Sequence, residues 1–189
     1  EGLIIAYADD TMVLVEANTL DDLLEKLCLE GEKLLRFFAS NKLLANPSKT
    51  CLLLIRPGGA TRSEDTVTIE LVGEKITESA NEKVLGVTIR NDLKWADHMN
   101  KVKRDCLYRL SMLQRLQKFL DSRQLKTIAE GLILSRLRYC LSVWGVESIR
   151  LSNSDPTCTL AHKLQVIQND ALRIITKKRR RDHVRISDM

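Results

Sequence analysis

Two adjacent aspartates, Asp9 and Asp10, interrupt an otherwise apolar stretch, with Leu3, Ile4, Ile5, Ala6 and Tyr7 before them and Met12, Val13, Leu14 and Val15 after. Like charges side by side repel one another, and the pair becomes favourable when a divalent cation sits between them. Oxygen-ligand sites for Mg²⁺ use one or two carboxylates together with substrate phosphates. Two such ions can clamp the attacking and leaving oxygens of a phosphoryl transfer. The competing reading is a solvated Asp-Asp turn, and the dipeptide alone does not separate the two.

Positioning these carboxylates falls to two β-prone runs, residues 2–7 and 11–15, which read as a hairpin with the aspartates at its tip. Thr19, with Asp22 three residues on, announces an amphipathic helix. Its apolar stripe runs through Leu20, Leu24, Leu27, Gly31, Leu34 and Phe38, and Asn41 ends it. Gly31 within that stripe implies a close approach to a neighbouring backbone. Asn46-Pro47-Ser48 is a turn signal, residues 50–55 read as a strand, and Val67, Ile69 and Leu71 alternate with polar residues before Gly73-Glu74 turns the chain toward Ile76. A further strand is expected over residues 84–89. Residues 1–90 therefore read as an α+β layer.

Beyond Trp95 the period changes to that of helices, over residues 97–119, 122–141 and 160–176, with the clearest loop in 147–159. A second, helical domain follows from this, its boundary near residues 91–96. Trp95 and Trp144 read as packing residues, and His98, His162 and His183, with no ligand partners in sequence, as surface or capping groups.

Charge separates the halves more sharply than the total of +5 suggests. Residues 1–100 hold 11 Lys/Arg against 17 Asp/Glu, a net −6, and residues 101–189 hold 19 against 8, a net +11. Residues 101–126 alone carry eight basic side chains, beginning with Lys101, Lys103 and Arg104, against Asp105 and Asp121. Basic surface gathered in one half suits contact with nucleic-acid phosphates; solvated helix faces are the plain alternative. The composition, 44% hydrophobic and 29% charged over 189 residues, is that of a globular protein. Aromatics at 4% leave Leu, Ile and Val to build the core.

The five cysteines are scattered without a Cys-x-x-Cys pair and read as reduced thiols. The apolar run at the start is too short for a signal peptide or a membrane span, and its position inside a strand suggests that sequence upstream is missing. An intracellular protein of the nucleus or cytoplasm, without membrane association, is expected. The basic run 177–181 reads as a localisation signal, a nucleic-acid arm or a solvated tail.

Tyr7-Ala8-Asp9-Asp10 between apolar strands resembles the signature hairpin of reverse transcriptases, and the chain resembles those of non-LTR (LINE-type) retrotransposons in four later segments. Asn41-Lys42-Leu43-Leu44-Ala45-Asn46-Pro47-Ser48-Lys49-Thr50 is similar to the segment after the palm helix. Val84-Leu85-Gly86-Val87-Thr88-Ile89 is similar to the motif that grips the primer, and Asp92-Leu93-Lys94-Trp95-Ala96-Asp97-His98 to the tract leading into the thumb. Leu164 to Arg173 resembles a helix near the end of the thumb.

The resemblance implies an α+β fold: the C-terminal part of a polymerase palm with its primer-grip strands over residues 1–91, an all-helical thumb over 92–176 and a basic, disordered tail over 177–189. It implies Asp9 and Asp10 as metal ligands, Lys49 as the group that neutralises phosphate charge or protonates pyrophosphate, and Tyr7, Leu85, Gly86, Lys101, Lys103 and Arg104 as primer or nucleic-acid contacts. Two Mg²⁺ ions, with Mn²⁺ as the alternative, would be the cofactors. An RNA template, a DNA primer and deoxynucleoside triphosphates would be the partners. The third metal-binding Asp of this family lies on an earlier strand, absent from the chain. The 189 residues alone are therefore expected to be inactive, in a longer parent RNA-directed DNA polymerase. A non-catalytic nucleic-acid-binding remnant of a decayed or domesticated retroelement is the rival reading.

Overall fold

Strands in the first part of this chain come in pairs, each closed by a two-residue connection. The computed structural model describes residues 2–56, 66–71, 73–150, 160–178 and 182, and the chain divides into two compact units, Glu1–Leu93 and Lys94–Met189. The architecture is α+β, with small antiparallel hairpins in the first unit and helices dominating the second.

In the first unit β1 (Leu3–Tyr7) pairs with β2 (Asp10–Leu14), β3 (Thr68–Leu71) with β4 (Glu74–Thr77), and β5 (Asn81–Val84) with β6 (Val87–Arg90). Helix α1 (Leu20–Ser40) starts where the Thr19 hydroxyl accepts the Asp22 N–H at 3.2 Å and ends at Asn41. Its Leu23, Leu24, Leu27 and Cys28 pack on Leu52, Leu54, Ile69 and Ile76, the buried residues of this unit's core. Leu20 departs from the expected stripe and is exposed. Gly31 is buried, and a Cβ there would stand 3.1 Å from Leu71 Cδ2, so the close neighbour is a side chain of β3 and not a backbone.

Two strand expectations are corrected here. Residues 50–55 form no strand: Leu52 and Leu54 are buried and Cys51 and Ile55 exposed, yet Leu52 alone bridges, to Glu78. The alternation survives because the core needs those two leucines, and the Ser79 N–H donates to the Leu52 carbonyl at 2.9 Å. Residues 84–89 are not one strand: Val84 ends β5, Leu85 (φ 46°) and Gly86 (φ 88°) form a left-handed turn, and residues 87–89 belong to β6.

The second unit is built on α2 (Ala96–Leu116), α3 (Ser122–Ala129), a π turn (Glu130–Leu134), α4 (Ser135–Arg138), α5 (Leu141–Arg150) and α6 (Leu160–Ile175). Asp121 and Gln124 form a reciprocal capping box at the start of α3, with Gln124 N–H to Asp121 Oδ1 at 2.8 Å and Asp121 N–H to Gln124 Oε1 at 3.1 Å. The single helix expected over 122–141 is broken in two ways. Its buried residues, Leu125, Ala129, Ile133 and Leu137, recur every four positions. An α-helix turns every 3.6 residues, so this spacing would carry the stripe about 40° around the axis per step. The wider π turn absorbs part of that drift.

The helix then stops at Tyr139 (ψ 120°) and Cys140 (φ 50°), and the buried Trp144 indole N–H donates to the Tyr139 carbonyl at 2.8 Å. The loop expected over 147–159 is helical as far as Arg150, and residues 151–159 lie outside the described residues. Of the basic run 177–181 only Lys177 and Lys178 are described. The four described cysteines, Cys28, Cys51, Cys106 and Cys140, are free. No helix among the described residues is long and apolar enough to cross a membrane.

Trp144, Leu113, Leu125, Ile133 and Ile167 are the large, fully buried side chains at the centre of this unit. His98 lies with them, 4% exposed, its ring edge-on to Trp144 at 5.5 Å. A surface or capping role is what the sequence suggests for it; the i, i+1 pair His98-Met99 instead turns inward with the core of α2. Burial, and then Lys101, push the His98 pKa below its usual 6.5. Because burial disfavours the imidazolium, the unfolded chain takes up this proton first as pH falls. His98 thus costs no stability above pH 6.5 and subtracts from it progressively as pH drops from 6.5 toward the depressed folded value. Urea unfolding followed by tryptophan fluorescence is expected to show a falling midpoint between pH 7.5 and 5, and a His98→Gln variant a flatter profile over that range. Equal slopes in both proteins would refute the assignment.

Candidate active site and nucleic-acid interface

Strand pairing sets where the two carboxylates stand. The β1–β2 register places Ile5 opposite Met12, Ala6 opposite Thr11 and Tyr7 opposite Asp10, leaving Ala8 and Asp9 as the connection. Asp9 therefore occupies the turn, whereas Asp10 opens β2, so only one of the pair sits at the tip proper. Ala8 is left-handed, φ 54°. A positive φ at the first central position is the pattern of a II′ turn, where glycine is the usual residue. For an L-residue this conformation costs roughly 1–2 kcal/mol. Strain held by a non-glycine residue beside two carboxylates is a reason to look for function there.

Tyr7, Asp9 and Asp10 are all exposed, Tyr7 at 68%. Strand β1 is apolar along its whole length and exposed along its whole length, with Leu3, Ile4 and Ile5 open to solvent. Among the described residues the side chains of Asp9, Asp10 and Lys49 enter no hydrogen bond or ion pair. No cluster of three or more His, Cys, Asp or Glu side chains able to hold a metal ion occurs among the described residues. Two adjacent, solvated carboxylates still supply the oxygen donors that Mg²⁺ takes from protein when phosphates and water complete its shell. The donor set fits part of such a site and does not form a closed cage.

Lys49 closes a 3₁₀ turn (Pro47–Lys49). Asn46 organises this turn, its Oδ1 accepting the Ser48 N–H at 3.1 Å and hydroxyl at 2.7 Å and its carbonyl accepting the Lys49 N–H at 3.0 Å. The Lys49 side chain is exposed. Leu85 and Gly86 close the separate β5–β6 hairpin, in the I′ pattern with both central residues left-handed. Leucine is a genuine outlier in that position. Tyr7 and the aspartates thus share one turn, while Lys49 and Leu85-Gly86 belong to two others within the same unit.

Lys101, Lys103 and Arg104 lie on α2, in the second unit. Spacing on a helix separates them: Lys101 and Arg104, three apart, share a face, and Lys103, two from Lys101, does not. Arg104 and Arg115 are exposed and, among the described residues, engaged in no ion pair, whereas Arg109 donates to the Asp105 carbonyl at 3.0 Å. Arg115 is one of the eight basic residues of the 101–126 stretch, and its spacing of 11 from Arg104 puts it on that residue's face of the helix.

The chain is similar to a protein named "Probable RNA-directed DNA polymerase from transposon BS" of Drosophila melanogaster, at 26% identity over 182 residues, covering 93% of this chain and 18% of that protein. The chain thus spans less than a fifth of the length of this relative. No family model and no solved structure matches. The similarity, extending over nearly the whole chain, supports a reverse-transcriptase-like polypeptide.

Replacing Leu85 by Asn gives the Asn-Gly pair that I′ turns favour and removes the left-handed leucine. Leu85→Asn is expected to stabilise the first unit by about 1 kcal/mol, read as a raised urea midpoint. A lowered midpoint would mean that the Leu85 side chain contributes more through packing than its backbone costs.

Proposed function

We propose that this chain is part of an RNA-directed DNA polymerase of the non-LTR retrotransposon kind, supplying the carboxylate-bearing end of a palm and a helical thumb. The observation that carries the reading is the solvated Asp9-Asp10 pair at the strained Ala8-Asp9 turn, where Asp10 opens the second of two paired strands. The similarity over 93% of the chain to a transposon RNA-directed DNA polymerase supports it.

Bound Mg²⁺ would polarise the phosphoryl oxygens of a deoxynucleoside triphosphate and lower the pKa of the primer 3′-hydroxyl. Asp9 and Asp10 would hold it with carboxylate oxygens, completed by phosphates and water and by ligands beyond these residues. Tyr7, directly across the ladder from Asp10, would flank the primer terminus. Lys49 would neutralise charge on the triphosphate, and the left-handed turn at Leu85-Gly86 would let backbone approach the primer strand. Lys101 and Arg104 would meet nucleic-acid phosphates, without reading sequence.

The rival reading, a nucleic-acid-binding protein without catalysis, is favoured by one observation: no third carboxylate joins Asp9 and Asp10 among the described residues. Primer extension separates the two. The 189-residue chain is expected to extend no primer on an RNA template with Mg²⁺ or Mn²⁺. The longer polymerase that contains it is expected to do so, with activity lost at least 100-fold in Asp9→Asn. An Asp9→Asn polymerase that retains full activity would remove Asp9 from the metal site and leave the binding reading in its place.

A further inference from the structure

The outward side of α2 carries a row of residues that burial does not explain. Met99, Cys106 and Leu113 face the core. On the other side Lys101, Arg104, Tyr108, Met112 and Arg115 follow one another at spacings of three, four, four and three, which keeps them on one face of a helix. Tyr108 is 68% exposed and Met112 42%, and the turn that ends α2 presents Phe119 at 80%. Cations and exposed aromatics thus share one surface about 27 Å long, for the 18 residue-to-residue steps from Lys101 to Phe119.

Neither component alone accounts for this composition. A face that only neutralises the phosphates of a duplex needs charge and hydrogen bonds, and a tyrosine ring left two-thirds open to water adds nothing to that task. A solvated helix face has no use for Tyr108, Met112 and Phe119 in line. Aromatic side chains among cations are what unpaired bases require, since each base has a face that stacks on a ring while the phosphates meet Lys and Arg. The arginines are also free to make such contacts, Arg104 and Arg115 being engaged in no ion pair among the described residues.

We infer that the outward face of α2 binds single-stranded nucleic acid, with Tyr108 and Phe119 stacking on unpaired bases and Lys101, Arg104 and Arg115 holding the phosphates. This rests on the nucleic-acid reading of the chain and goes beyond it, because it assigns the face to an unpaired strand rather than to a duplex. Recognition by stacking tolerates any base, so the surface discriminates strandedness and not sequence.

The test uses the 189-residue chain with a fluorescent 12-nucleotide single-stranded RNA and with a blunt RNA–DNA duplex of the same length. The single strand is expected to bind more tightly. Tyr108→Ala and Phe119→Ala are each expected to weaken it by roughly 5- to 100-fold, the range for losing one stacked base, with little change for the duplex. Arg104→Gln with Arg115→Gln is expected to flatten the dependence of log affinity on log salt by about two phosphate contacts. All four side chains are exposed or at the surface, and circular dichroism checks that the fold is kept. Unchanged single-strand binding in both aromatic variants overturns this inference while leaving nucleic-acid binding intact. Equal loss for strand and duplex overturns it in favour of a duplex surface, and no binding of either ligand by the unsubstituted chain overturns both readings.

Discussion

A two-residue connection between antiparallel strands leaves the backbone little choice. Paired strands twist to the right, and only turns with left-handed residues match that twist over so short a span. The first unit of this protein uses left-handed residues between its paired strands at Ala8, at Gly73 and at Leu85-Gly86. Glycine meets the requirement at Gly73 and Gly86, and Ala8 and Leu85 meet it under strain. What the unit gains is placement. Once Tyr7 pairs with Asp10, the side chain of Asp9 has to stand on the turn and that of Asp10 at the mouth of the ladder, both in water.

The helical unit is governed by a different mismatch, between a four-residue spacing of core positions and a helix that repeats every 3.6. Leu125, Ala129, Ile133 and Leu137 are all buried, and a π turn in the middle of them limits the drift their spacing imposes. The break at Tyr139-Cys140 then redirects the chain so that Trp144 enters the core and caps the end of α4 by its indole N–H. Against that indole packs His98, and α2 is thereby held with one side buried and the other free. Burial of one side of α2 is thus what leaves its basic residues together on the other.

Charge divides unequally between the two units. An acidic first half with exposed carboxylates calls for cations, and a basic second half calls for a polyanion. A reaction on nucleic-acid phosphates satisfies both demands at once, which is why the proposed polymerase role accommodates features that a structural domain would leave unused. The Arg56–Glu78 pair, 2.9 Å apart with the Glu78 side chain 2% exposed, is the contrasting case of a charge buried against its partner.

Much was legible in the residues alone, because the relevant interactions are local. Thr19 and Asn41 announce the ends of α1, the alternation of Val67, Ile69 and Leu71 announces β3, and the apolar runs around Asp9 and Asp10 announce a hairpin. Caps, turns and periodicities are written in neighbouring positions, and the chain reads them without knowing the rest of the fold. Other features depended on contacts between distant segments. Whether residues 50–55 became a strand rested on the partner available to Leu52, whether Leu85 stood in a strand or a turn rested on the register of β5 with β6, and whether His98 met water or Trp144 rested on a helix break more than 40 residues away. Residue types and spacing determined which groups this protein has for chemistry. Tertiary structure decided which of them face water together, because burial is settled by the packing partner and not by the side chain itself.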